Sequence, residues 1–198
     1  MIRKKNKFSL RKEYKKSWEF IKGSKKFIYL VIMIFFVFAL IGFFVPVPDA
    51  ISEQILKIIF DLIEKTKDMS NFELINFIFF NNLKSSFYGM FLRMFLGIAP
   101  VLFSLFNGYL LGFVALMAVN EQGFLSLWRI FPHGIFELPA VFISLGLGMK
   151  LGSFIFQRNK AESFKDFLWN SLRVFLLIVL PLLIIAAIIE GTLIALAG

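Results

Sequence analysis

The chain has 198 residues, 59% of them hydrophobic and only 18% charged, with 28 Phe, no Cys, one His and a formal net charge of +9. A soluble domain of this length cannot hide so much apolar surface, so the composition reads as an integral membrane protein. The absence of Cys excludes disulfides, iron–sulfur clusters, thiol nucleophiles and Cys-based zinc sites, and a single His leaves little room for metal or triad chemistry.

The charge is concentrated at one end. Residues 1–26 hold 11 Lys and Arg against Glu13 and Glu19, so this arm carries the whole +9 and the remaining residues sum to zero. Leu10, Tyr14, Trp18 and Ile21 share one helical face of the arm, basic residues fill the rest, and Gly23 is expected to close it. That pattern suits a cytoplasmic helix lying on the anionic lipids of the inner leaflet. The positive charge before the first apolar run also fixes the N-terminus inside, and nothing in its distribution asks for nucleic acid. Residues 27–47 are uncharged and long enough to span; the run is too long for a signal peptide, and Val45-Pro46-Val47-Pro48 ends the helix.

Residues 49–69 place Ile51, Ile55, Ile58, Ile59 and Leu62 at helical spacing, with Asp49, Glu53, Asp61, Glu64 and Asp68 mostly opposite. This is an outer amphipathic helix, too charged to span. Ser70-Asn71-Phe72-Glu73 is a capping box that starts the next helix. A second span is expected over 72–97, although Lys84 and Arg93 fall within it. A third follows over 101–119, an outer loop over 120–131, a fourth span over 132–156, a basic inner loop over 157–166, and a fifth span over 168–190. The expected fold is therefore all-α: a basic arm, 1–26, and a membrane domain, 27–198, that crosses the cell membrane about five times.

In lipid the polar residues are the informative ones, because an ionisable group there costs a few kcal/mol unless it faces protein or water. Asn82, Ser85, Ser86, Gly89 and Arg93 form one stripe on the second span, with Phe87, Met90, Phe91, Leu92 and Phe95 supplying its lipid-facing bulk. Ser104, Gly108 and Gly112 make a small-xxx-small face on the third, with Asn107 alongside. On the fourth, His133, Glu137, Ala140, Ser144, Gly148 and Gly152 recur at steps of three and four, so an imidazole lies one turn from a carboxylate above a groove for another helix. Pro139 frees the carbonyl of Ile135 beside that pair. His133, Glu137, Asn82, Arg93 and Asn107 are thus the candidate intramembrane polar site, and Gly108, Gly112, Gly148, Gly152 and Pro139 the candidate packing positions.

A Glu/His pair can serve an intramembrane hydrolase, relay protons in a transporter, bind a partner's polar group, or simply pin the bundle. The motifs for an enzyme are missing: there is no His-Glu-x-x-His, no second His, no Gly-x-Ser-x-Gly elbow and no P-loop. No cofactor is expected. Arg173 and Glu190, near the two ends of the last span, read as snorkelling positions.

The segment Pro132-His133-Gly134-Ile135-Phe136-Glu137-Leu138-Pro139-Ala140 resembles the signature of the stage II sporulation protein M family. The order of features agrees as well: basic N-terminus, one span, acidic outer segment, Asn81-Asn82, and the Asn107-Gly108 helix ahead of the motif. The resemblance implies a multispanning membrane protein in which His133, Gly134, Glu137 and Pro139 matter. It also implies a non-enzymatic anchor or scaffold for other membrane or envelope proteins, as in sporulating members, where the family supports peptidoglycan-degrading proteins during engulfment. A transporter or permease-like subunit is the alternative, and an intramembrane hydrolase a further one.

Overall fold

The computed structural model describes residues 9–45, 49–91, 98–129 and 131–197, and none of these lies in a strand. Seven helices account for most of them: α1 Leu10–Phe44, α2 Asp49–Thr66, α3 Asn71–Phe91, α4 Ile98–Gln122, α5 Phe131–Gly152, α6 Lys160–Val174 and α7 Leu180–Ala197. Four helical stretches are long and apolar enough to cross a membrane: α1, α4, most of α5, and α6 running on into α7. Their exposed surface is the reverse of a soluble protein's, with Tyr29, Met33, Phe36 and Leu40 on α1, Phe106 on α4, and Ile184, Ile185 and Ile188 on α7 all turned outward.

Helix boundaries follow local chemistry, with three departures from expectation. The basic arm is not a separate element. α1 runs unbroken for 35 residues through Gly23, because one glycine costs a helix only about 1 kcal/mol relative to Ala and no proline intervenes. At 1.5 Å per residue that is about 52 Å, well beyond the ~30 Å hydrocarbon layer. The supposed outer loop is shorter than 120–131: α4 continues to Gln122, Gly123 closes it at φ 79, and a 3-10 turn, Phe124–Arg129, leads into α5. The inner loop is likewise mostly helix, since α6 begins at Lys160 and joins α7 through a π-helical turn, Phe175–Val179. Pro181 follows that turn closely. It cannot donate to the Leu177 carbonyl and its ring crowds that oxygen, a strain that a widened turn accommodates.

The capping box forms as its sequence requires. The Ser70 backbone N–H donates to Glu73 Oε2 at 2.9 Å, and the Glu73 N–H donates weakly to Ser70 Oγ at 3.4 Å. The helix that it starts ends at Phe91, so residues 92–97 of the expected second span lie outside the described residues. α3 is not among the helices apolar enough to cross, because Asn81, Asn82, Lys84, Ser85 and Ser86 interrupt it.

Helix directions can be read from facing residues. Val31, Phe35 and Ala39 of α1 meet Ser104, Gly108 and Gly112 of α4 in the same order, so these two helices run parallel. Ile28 meets Gly146 and Phe35 meets Phe142, so α5 is antiparallel to α1. Ile75 meets Gly191 and Phe87 meets Phe175, so α3 is antiparallel to the α6–α7 stretch. Two core clusters result. Met90, Ala140, Leu147, Val174, Phe175, Val179 and Leu183 join α3 and α5 to the α6–α7 stretch. Ile28, Val31, Phe35, Phe142 and Leu145 join α1 to α5, and Ile21 packs against both clusters.

Candidate functional site

The small residues of α4 sit directly on the backbone of α1. A Cβ added at Gly108 would collide with the Phe35 carbonyl, and one at Gly112 with the carbonyl of Ala39. One turn below, Ser104 is fully buried and its hydroxyl donates to the Val31 carbonyl at 2.8 Å. Three successive turns of α4 thus rest on three successive turns of α1, the arrangement that small-xxx-small spacing permits. Gly42 completes the contact from the other side, against the Tyr109 carbonyl.

The lower part of the α5 stripe is also a packing face. Ala140, Ser144, Gly148 and Gly152 are buried, and Gly148 leaves room for the Gly89 carbonyl and Met90 Cα of α3, which a Cβ would meet at 2.9 and 3.1 Å. Gly146, which the stripe did not select, lets the Ile28 backbone of α1 approach the neighbouring side of the same helix. Pro139 is exposed, so it faces no helix and acts only on the backbone of α5.

The expected polar constellation divides. Asn82, Ser86 and Gly89 are buried on the bundle side of α3, with the Ser86 hydroxyl lacking a hydrogen-bond partner. Met90, expected to face lipid, is instead fully buried because it fills the core between α5 and α7. Arg93 lies outside the described residues, and of His133 only its place in the first turn of α5 is described. Glu137 and Asn107 come together on the wall of one cavity of about 650 Å³.

This cavity opens between α1, α4 and α5. Phe35 and Phe36 come from α1, Leu110, Leu111, Val114 and Ala115 from α4, and Gly134, Ile135, Leu138 and Val141 from α5. The volume is within the range of small-molecule sites, about 300–1,000 Å³, and the lining is the usual one for such a site, apolar with a few polar groups. Asn107 is not idle: its Nδ2 donates to the Phe103 carbonyl at 2.7 Å, which directs the carboxamide along α4. Sequence reasoning found both polar groups but not the enclosure. The signal for it was present in Asn107, Leu111, Val114 and Ala115, which recur at the spacing of one helix face.

A second polar cluster, which the sequence did not reveal, lies at the opposite end of α1. Arg173 Nε meets Glu13 Oε2 at 2.6 Å and Arg173 also donates to Asn170 Oδ1 at 2.6 Å, while Lys16 meets the other Glu13 oxygen at 3.0 Å. Arg173 is therefore not snorkelling but bridges α6 to the arm. Phe20 stacks near Phe167, with ring centroids 6.4 Å apart, and Lys150 Nζ lies 4.5 Å from the Phe167 ring centre. Since Glu13 pairs with Arg173 and Phe20 with Phe167, the first half of α1 lies antiparallel to α6. Leu10, Tyr14, Trp18 and Trp169 remain exposed beside this junction.

A bundle of long apolar helices, held by small residues at the crossings and carrying a largely apolar cavity with Glu137 and Asn107 on its wall, defines an all-helical membrane protein. The chain belongs to the stage II sporulation protein M family, whose model matches residues 31–193. Comparison with curated proteins and with solved structures finds no match.

Proposed function

We propose that this protein is a non-enzymatic, multi-pass scaffold of the cell membrane, holding other membrane or envelope proteins, with its basic arm against anionic inner-leaflet lipids. The observation that carries this reading is α2. It shares no substantial packing interface with another described helix, and its apolar residues Ile51, Ile58, Leu62 and Ile63 are exposed. Across 49–69 the acidic residues Asp49, Glu53, Asp61, Glu64 and Asp68 outnumber Lys57, Lys65 and Lys67. A net acidic helix with an exposed apolar face complements an apolar, basic segment of another envelope protein. The consumption of small and hydroxyl side chains in helix packing further supports a structural body over a reaction centre.

Photocrosslinking from Ile55 and Ile59 in intact membranes tests the reading. Adducts to other envelope proteins are expected; purely intramolecular or lipid adducts would count against a partner at α2. Cleavage of a peptide or lipid by the purified protein, abolished in Glu137→Ala, would overturn the scaffold reading outright. The cavity favours a second reading, a transporter or permease-like subunit, which requires the wall at Glu137 and Asn107 to open alternately to the two sides.

A further inference from the structure

Asn107 is a carboxamide exposed at the middle of a membrane span. It lies on α4 between Ser104, which sits beside Val31, and Gly108, which sits beside Phe35, and so falls near the middle of the apolar part of α1. Ser104 and Gly108 turn inward and are buried, whereas Asn107 faces out of the bundle. One Nδ2 hydrogen goes to the Phe103 carbonyl, its one hydrogen bond among the described residues, which leaves the other hydrogen and the carboxamide oxygen to be satisfied. At that depth lipid offers them nothing, and side chains of this kind in a span bond across to a neighbouring helix.

α4 also carries the pattern by which one helix meets another. Phe103, Asn107, Leu110, Val114 and Met117 recur at steps of four, three, four and three, the 3.5-residue repeat of a left-handed helix pair, with Asn107 at one seam position. They lie on the side of α4 away from Ser104, Gly108 and Gly112, the residues that hold α1. Asn107 and Leu110 are exposed, and Phe103, Val114 and Met117 half-buried. Glu121, next in the series, stands about 21 Å beyond Asn107, outside a hydrocarbon half-layer of about 15 Å, so the seam ends at Met117. Asn107, Leu110 and Val114 also line the open cavity, with the exposed Phe36 of α1 and Ile135 of α5 on its other walls, which gives the side chains of a facing helix a place to seat.

We infer that α4 pairs with α4 of a second copy of this chain, Asn107 against Asn107. Copies inserted in the same direction are related by an axis normal to the membrane, so equal depths meet, and a seam residue of one α4 faces the same residue of the other. A carboxamide suits that arrangement because it is self-complementary: the spare N–H of each side chain donates to the oxygen of the other. A helix of different sequence needs a polar residue at this one depth, whereas a second copy always has it there. The pairing is independent of the scaffold reading, which rests on α2.

The test uses the full chain, which has no natural Cys, in vesicles. Single cysteines at Leu110 and Met117 are expected to give disulfide-linked dimers on oxidation, and Leu102→Cys, Tyr29→Cys and Ile184→Cys, exposed but off the seam, severalfold fewer. Energy transfer between singly labelled copies at falling protein-to-lipid ratios gives the dimer fraction. Asn107→Leu should raise the dissociation constant about tenfold, the loss of an amide pair between spans, and leave thermal unfolding unchanged because it alters only an exposed side chain. Monomers at every ratio, linkage equal at seam and control positions, or a dissociation constant unmoved by Asn107→Leu would overturn the inference. Capture of other proteins or of lipid, in place of a second copy, by a photoreactive residue at Leu110 would overturn it too.

Discussion

The contact of α4 with α1 separates two kinds of small residue by what each supplies. Gly108 and Gly112 supply only the space left by a missing side chain, and the carbonyls of Phe35 and Ala39 occupy it. Backbone cannot swing aside as a side-chain tip can, so Gly108→Val has to push the two helices apart. Overpacking of this sort costs about 1–3 kcal/mol and at times more. Ser104 supplies a hydrogen bond to the Val31 carbonyl, and interhelical bonds of this type contribute about 0.6 kcal/mol on average in membranes. Ser104→Ala also keeps the close approach. Thermal or denaturant unfolding in detergent should therefore rank Gly108→Val as much more damaging than Ser104→Ala. Equal losses would mean that the hydroxyl, not the spacing, holds the two helices together.

At the scale of elements, the first half of α1 is a docked structural piece as well as a charge anchor. Its tie to α6 combines one close ion pair, Glu13 with Arg173, and an aromatic contact, Phe20 with Phe167. The chain has no natural Cys, so Phe20→Cys with Phe167→Cys reports the contact by disulfide formation. Glu13→Arg sets like charges against each other and should slow that disulfide severalfold; adding Arg173→Glu should restore it. Unchanged formation in Glu13→Arg would mean that apolar packing around Ile21, without the ion pair, holds the arm. Such a long-range pair was beyond the reach of periodicity, which gives the face of a helix but not its partner. For the same reason the Ser104, Gly108 and Gly112 face and the polar side of α3 were legible in the sequence. The cavity wall, assembled from three helices, was not. Boundaries were misplaced where a helix continues past a charged segment, as at Gly23 and Lys160, because charge ends a span but does not end a helix.

The course of the whole chain turns on α3. α1 and α4 run parallel, so the chain has to come back across the bundle between Phe44 and Ile98. α2 shares no substantial interface with the body, which leaves α3 to make the return. Its 21 residues cover about 31 Å, close to the ~30 Å of a hydrocarbon layer. Part of its low hydropathy comes from side chains that face protein, although Asn81 and Lys84 are exposed. Asn82 and Ser86 are buried, while Phe72, Phe80 and Phe87 are exposed on the outer side. A helix that keeps Asn82 and Ser86 on the protein side and extends the long stem of Lys84 along its outer face can cross as part of a bundle even though it would not insert alone. With α3 crossing there are five spans, and the two ends of the chain lie on opposite sides of the membrane; with only the four apolar stretches they lie on the same side. Single cysteines introduced at Ser9, Ser52, Gly123 and Asn159 in the Cys-less chain distinguish the two arrangements when treated with an impermeant maleimide. Labelling of Ser52→Cys and Gly123→Cys from outside, and of Ser9→Cys and Asn159→Cys only after permeabilisation, is expected from five crossings. External labelling at Asn159→Cys, or its absence at Gly123→Cys, would remove α3 from the membrane and with it the parallel pairing of α1 and α4.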